Sequence, residues 1–171
     1  MKHALLSFLL LVSFGTAAFS QELFTVRDTV NGFEVGVPMG WRYGVPTDKS
    51  VDFIALRQKE SEADVPRETY NINILQRSEQ DLDRIFKEFL GSIGSAEGFR
   101  VIEQGDTTIN ERRYKYLIEA HKNKYSGEGM QNYVLLTNRE DKVLILTMAT
   151  ISDNFPVFKP LFDKVASSLH F

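Results

Sequence analysis

The chain contains no cysteine. That excludes a thiol nucleophile, a disulfide framework, a thiolate zinc site and a lipid-modified cysteine. Net charge is also small. The formal net charge is −3 and the isoelectric point about 5.7, without the basic patch or stripe expected of a nucleic-acid partner. Of three histidines, His3 lies in the leading segment, which leaves His121 and His170 for imidazole chemistry. Gly-x-Ser-x-Gly, His-Glu-x-x-His and EF-hand spacings are missing. Acidic residues are plentiful, but none is singled out as one of a catalytic pair. No residue is thereby marked as catalytic, as a metal ligand or as a cofactor contact. No apolar run reaches the roughly 20 residues that span a bilayer as a helix.

What is present reads as one globular domain. The chain has 171 residues, 43% hydrophobic and 25% charged, enough for a single core. Residues 1–20 have the form of a secretory signal peptide. Lys2 and His3 precede an apolar run from Ala4 to Phe14, and Ala18 and Ser20 supply small residues ahead of a cleavage before Gln21. Retention as a short membrane anchor is the alternative. Removal leaves residues 21–171 as one domain, exported to a periplasmic or extracellular space and without a stable membrane span.

The most informative stretch is Lys142–Ile151. Val143, Ile145, Thr147, Ala149 and Ile151 alternate with Leu144, Leu146, Met148 and Thr150, so both faces are apolar or small. A strand with one wet face alternates apolar with polar; this one is buried on both faces and needs a cover on each. Two amphipathic helical patterns can provide the covers. One begins after an expected N-cap at Ser78 and carries Leu82, Ile85, Phe86, Phe89, Leu90 and Ile93, with Gly94 as C-cap. The other is expected to start near Lys159, with Pro160 in its first turn, and carries Phe158, Leu161, Phe162, Val165 and Leu169.

The remaining segments read as strands. Residues 23–30 and 33–37 form a hairpin about Asn31-Gly32, and Pro38-Met39-Gly40-Trp41 turns the chain and delivers its only tryptophan as a core plug. Strands follow at 51–56 and 68–76. Between them, residues 57–67 hold six charged residues and read as a solvated loop or strand extension. A strand at 99–108 is expected to break at Gly105-Asp106. Residues 112–121, 130–138 and 142–151 are joined by short connections and so are antiparallel. The glycines of Gly91–Gly98 follow a helix and cannot form the strand–loop–helix phosphate site.

The opening hairpin, the Pro38-x-Gly40-Trp41 turn, the doubly apolar strand and the closing helix with Ser168-x-x-Phe171 together resemble the PsbP-like superfamily. That superfamily takes in photosystem II PsbP proteins, Ran-binding Mog import factors and bacterial DcrB-type proteins. The resemblance implies an α+β fold, a central antiparallel sheet sandwiched by helices, and a role in binding partner proteins without a shared active site. It carries Pro38, Gly40, Trp41, Ser168 and Phe171 as structural positions only. The metal ligands of photosynthetic members cannot be placed here, and the missing cysteine departs from lipid-anchored DcrB-type members.

Three functions follow as expectations. The first is a non-enzymatic, exported binding or assembly protein whose partner is another envelope or secreted protein. The second is a small-ligand or lipid carrier using the abundant Phe and Leu, and the third a hydrolase using carboxylates or His121. The partner surface named from sequence is His121, Lys122, Lys124 and Tyr125, in the polar loop after the Tyr114–Tyr116 strand. The doubly buried strand gives a direct test. Leu146→Asp is expected to abolish cooperative unfolding, since an unpaired buried charge costs several kcal/mol, comparable with the ~5–15 kcal/mol stability of a domain. A sharp thermal transition by circular dichroism in that variant would show that the face is wet.

Overall fold

A computed structural model describes residues 21–65, 67–77 and 81–171. The segment read as a signal peptide and the expected N-cap Ser78 lie outside the described residues. The strands are β1 (Leu23–Asp28), β2 (Phe33–Pro38), β3 (Arg42–Gly44), β4 (Phe53–Leu56), β5 (Thr69–Gln76), β6 (Arg100–Ile109), β7 (Arg112–Lys122), β8 (Gly129–Arg139) and β9 (Lys142–Ile151). Helix α1 (Leu82–Ile93) joins β5 to β6, and a single 3₁₀ turn (Ser152–Asn154) leads from β9 into α2 (Phe155–Ser167).

Seven strands form one antiparallel sheet in the order β3-β4-β5-β9-β8-β7-β6. Strands β6 to β9 are a meander. The crossover through α1 carries the chain from β5 to the far edge, and the meander brings it back so that β9 pairs with β5. The doubly apolar strand is therefore the central one. Val143 and Ile145 pack against the apolar stripe of α1, with Leu117, Val134 and Leu136. Leu144, Leu146 and Met148 enter the larger cluster on the opposite face, with Phe162 and Val165 of α2.

The two covers are unequal. Helix α1 shields only the first half of its face, and Thr147, Ala149 and Ile151 beyond it are half-buried. The opposite face carries α2 and also the β1–β2 hairpin, which forms a separate two-stranded sheet. Gly36 of β2 fits beneath the end of α2, where a Cβ would come within 2.8 Å of both Leu23 Cδ1 and Ser168 Oγ. The Gly36 amide donates to Ser168 Oγ at 2.7 Å, and the Tyr70 hydroxyl donates to the Gly36 carbonyl at 3.0 Å. Trp41 is buried beside Tyr70, ring centroids 6.3 Å apart, as the core plug expected.

Several local expectations are corrected. The side chain capping α1 is Asp81, which accepts from the Asp83 amide at 3.0 Å. Gly94 does close α1, with its amide donating to Leu90 O, but at φ −64; the positive φ comes four residues later at Gly98. Helix α2 begins at Phe155, earlier than Lys159. Pro156 occupies its first turn, where a missing amide costs nothing, and Pro160 lies inside the helix. Strand β6 is not broken at Gly105; it runs through, because the Tyr116 ring packs where a Cβ would stand, 2.9 Å away. Its irregularity lies between Val101 and Glu103.

The charged 57–67 segment is more than a solvated loop. Glu68 is 1% exposed and accepts from Arg57 Nε at 2.5 Å, Thr150 Oγ1 at 2.9 Å and Asn154 Nδ2 at 3.3 Å. Arg57 also forks onto Asp64 at 2.8 and 2.7 Å. Burial pushes the Glu68 carboxyl up, but its hydrogen bonds outweigh burial and hold it below its ordinary 4.5. A carboxyl with a depressed folded pKa adds stability above its unfolded pKa and loses it as pH falls through the folded value. Glu68→Gln leaves Arg57 its Asp64 partner, so the expected cost at pH 7 is that of a charge-assisted hydrogen bond, about 2 kcal/mol. In denaturant titrations the gap between wild type and variant should narrow as pH drops below about 4.5; a constant gap would remove Glu68 from the acid response.

Candidate functional site

Two surfaces stand out, at opposite ends of the β7–β8 pair. The first is the loop at residues 123–128, which closes after Lys122 pairs with Gly129. Asn123 organises it. Its Oδ1 accepts from the amides of Tyr125 at 2.9 Å and Ser126 at 3.1 Å, and its carbonyl accepts from Gly127 at 2.8 Å. Gly127 has φ +73, a conformation suited to glycine. Tyr125 stands at the tip, 86% exposed, with Lys124 Nζ 4.7 Å from its ring centroid.

The other two residues named from sequence are tied to acids. Lys122 Nζ is 2.8 Å from Glu97, whose hydrogen bond holds the ammonium pKa up. His121 Nδ1 lies 3.1 Å from Glu119, which is 3% exposed and also accepts from Asn132 Nδ2 at 2.7 Å. Structure thus brings Lys124 and Tyr125 together at the tip and holds His121 beneath the end of α1. The hollow beside His121 measures about 270 Å³ and includes Ser92 and Ser95. Ser92 donates its hydroxyl to Phe89 O at 2.7 Å, and no serine–histidine hydrogen bond joins the pair among the described residues. Asn132 Oδ1 is buried there without a partner among the described residues.

The second surface is a cleft of about 1130 Å³ at the far end of the sheet. It lies between the β1–β2 turn, the β6–β7 turn, the end of β8 and the segment 169–171. Short turns generate it. Asn110 and Glu111, with φ of 49 and 64, connect β6 to β7, and Glu140, φ 56, sits in the β8–β9 connection. Asn110 Nδ2 donates to Leu169 O at 2.9 Å and Ser167 O at 3.2 Å, and backbone bonds between Glu34 and His170 at 2.8 and 2.9 Å fix the opposite wall. Phe171 is 8% exposed, with Arg139 and Arg112 guanidinium carbons 4.6 and 5.9 Å from its ring centroid. Arg112 donates to Asn138 O at 3.0 Å.

The apolar side chains a lipid carrier would need are mostly spent on packing: Phe33, Phe53, Phe155, Phe162, Leu135 and Leu144 all belong to one core cluster. Among the described residues, no group of three His, Asp or Glu side chains converges as metal ligands, and no helix is long and apolar enough to cross a membrane. Sequence reasoning passed over the cleft. The signal was nevertheless there, since a two-residue turn at 140–141 sets Arg139 directly across from Lys142.

Comparison with known proteins follows the fold. No family model matches the chain, and no curated protein matches it. Solved structures do. Cyanobacterial PsbP (CyanoP) from Synechocystis is 21% identical, covering 94% of this chain and 98% of that one, with TM-score 0.65. LpqN of Mycobacterium tuberculosis, involved in cell envelope biogenesis, is 11% identical over 88% and 90%, TM-score 0.62. The Ran-binding protein Mog1p of Saccharomyces cerevisiae is 12% identical over 88% and 96%, TM-score 0.60. The fold is the PsbP-like α+β fold. Gly32 offers a test of the cleft's construction. It has φ +78, and a Cβ there would come 2.7 Å from Arg139 Nη2. Gly32→Ala should lower the melting temperature and shift Arg139 side-chain resonances; unchanged spectra would show that Arg139 does not pass over Gly32.

Proposed function

We propose that the chain is an exported, non-enzymatic binding or assembly protein whose partner is another envelope or secreted protein. The observation that carries this reading is the Tyr125 tip. A binding contact is strongest when its anchor is aromatic and already ordered, because little side-chain and loop entropy is then lost on association. Tyr125 meets both conditions. It is 86% exposed, and the turn beneath it is closed by Asn123 before any partner arrives. Lys124 beside the ring adds a cation at the same contact, while Lys122, bonded to Glu97, and His121, turned onto Glu119, stand where the loop leaves the strand.

The neighbours support the same role. One is a Ran-binding protein and another takes part in cell envelope biogenesis. Export rests on the sequence pattern of residues 1–20, a short positive start, an apolar run and small residues before Gln21.

Tyr125→Ala is expected to leave stability within about 0.5 kcal/mol, as for other exposed substitutions. The same change should weaken partner capture by about 2 kcal/mol, roughly thirtyfold, as loss of an aromatic hot spot does. A photo-crosslinking amino acid at position 125, applied in cells, should give a discrete adduct identifiable by mass spectrometry. No adduct above background, or undiminished capture by Tyr125→Ala, would overturn the reading.

A further inference from the structure

The cleft at the opposite end of the sheet carries a feature that folding does not require. Strand register aligns cations. Arg139 pairs with Lys142 across β8 and β9, and the β7–β8 register, carried to the strand ends, sets Arg112 beside Arg139. Arg112, Arg139 and Lys142 thus form one row on the α2 side of the sheet. Like charges directly opposite one another destabilise a sheet. None of the three has an ion pair within 4 Å among the described residues, although Lys142 acts electrostatically on Asp28 of the β1–β2 turn. Other arginines in the cleft do: Arg27 is 2.7 Å from Glu34, and Arg113 is 2.7 Å from Asp106 and 3.2 Å from Asp83.

The two arginines are also held in place without losing their charge. Arg112 donates to the Asn138 carbonyl and Arg139 to the Gly32 carbonyl at 3.4 Å, and both guanidiniums lie against the buried Phe171 ring. Each spends one Nη on these bonds, and a guanidinium carries five N–H donors in a rigid fork that matches a carboxylate. All three cations are half-buried, so their charges are less screened than surface charges.

We infer that this cleft is a second interaction surface, which receives an acidic peptide segment of a protein partner through Arg112 and Arg139, with Lys142 adding long-range attraction. Charge complementarity selects the occupant. Asp28, Glu34, Asp81 and Glu111 also line the cleft. They oppose a densely charged, rigid polyanion such as nucleic acid or an anionic membrane. A peptide carries its carboxylates on flexible side chains, so that one or two can sit on the arginine row while the rest stay in solvent. The volume of about 1130 Å³ accommodates several residues and far exceeds a single inorganic ion. This surface does not depend on the Tyr125 tip.

The test uses the full chain, with nuclear magnetic resonance of the arginine Nε–H groups. Acetyl-tetraglutamate amide at low ionic strength should give saturable shifts at Arg112 and Arg139. Tetraglutamine of the same length should bind at least tenfold more weakly, a comparison that requires no mutation. Arg112→Gln/Arg139→Gln should abolish the tetraglutamate response measured on the neighbouring backbone amides, with the melting transition as control. Equal responses to the two peptides, no response at either arginine, or tighter binding of inorganic phosphate than of tetraglutamate would each overturn the assignment. Crosslinking at position 125 reads the other surface, so the two readings fail separately.

Discussion

Burial of β9 on both faces is the constraint from which the rest of the architecture follows. A strand apolar on each side must sit inside a sheet, with neighbours to satisfy its backbone and a cover above and below. Beside β9, strands β8 and β5 supply the neighbours, and the second arrives only because the chain crosses through α1 and returns. One consequence is that α1 does two jobs, carrying the chain across the sheet and covering its face. Another is that the β1–β2 hairpin must join α2, since one helix of 13 residues is too narrow for seven strands. Loss of the fit between Gly36 and Ser168 would separate those two elements.

Much of this was legible because hydrophobic periodicity reports burial directly. The alternation in Lys142–Ile151 gave the central strand, and the stripe Leu82–Ile93 gave α1. Short connections gave the antiparallel meander. Errors fell where a local rule met a tertiary contact. Pro160 signals a helix start in isolation, but Pro156 was already in the first turn, and packing of Phe155 and Leu161 carries the helix through. Gly105 signals a break, yet the Tyr116 ring fills the space beside it. Residues 57–67 look solvated by composition, and no local pattern shows that Glu68 will be buried against Arg57, Thr150 and Asn154.

The surfaces were legible to a lesser degree, for a physical reason. Sequence placed Tyr125 and Lys124 in a polar loop, and the loop's own hydrogen bonds give them their geometry. The same sequence grouped His121 with them by adjacency, whereas strand alternation turns its side chain onto Glu119. The cleft depends on segments far apart in the chain, the first hairpin, two turns and the final residues. Only the register across the 140–141 turn was local enough to read.

Trp41 has a further consequence. It is the only tryptophan, and it is buried between the sheet and the hairpin side, in contact with Tyr70. Its indole N–H is enclosed without a hydrogen-bond partner among the described residues, so its surroundings change sharply if water enters. The chain therefore contains an intrinsic optical reporter confined to one of its two cores. Fluorescence follows the hairpin side, while helical ellipticity draws on α1 as well. Comparing the two signals along one unfolding curve separates a molecule whose halves melt together from one that loses a single layer first.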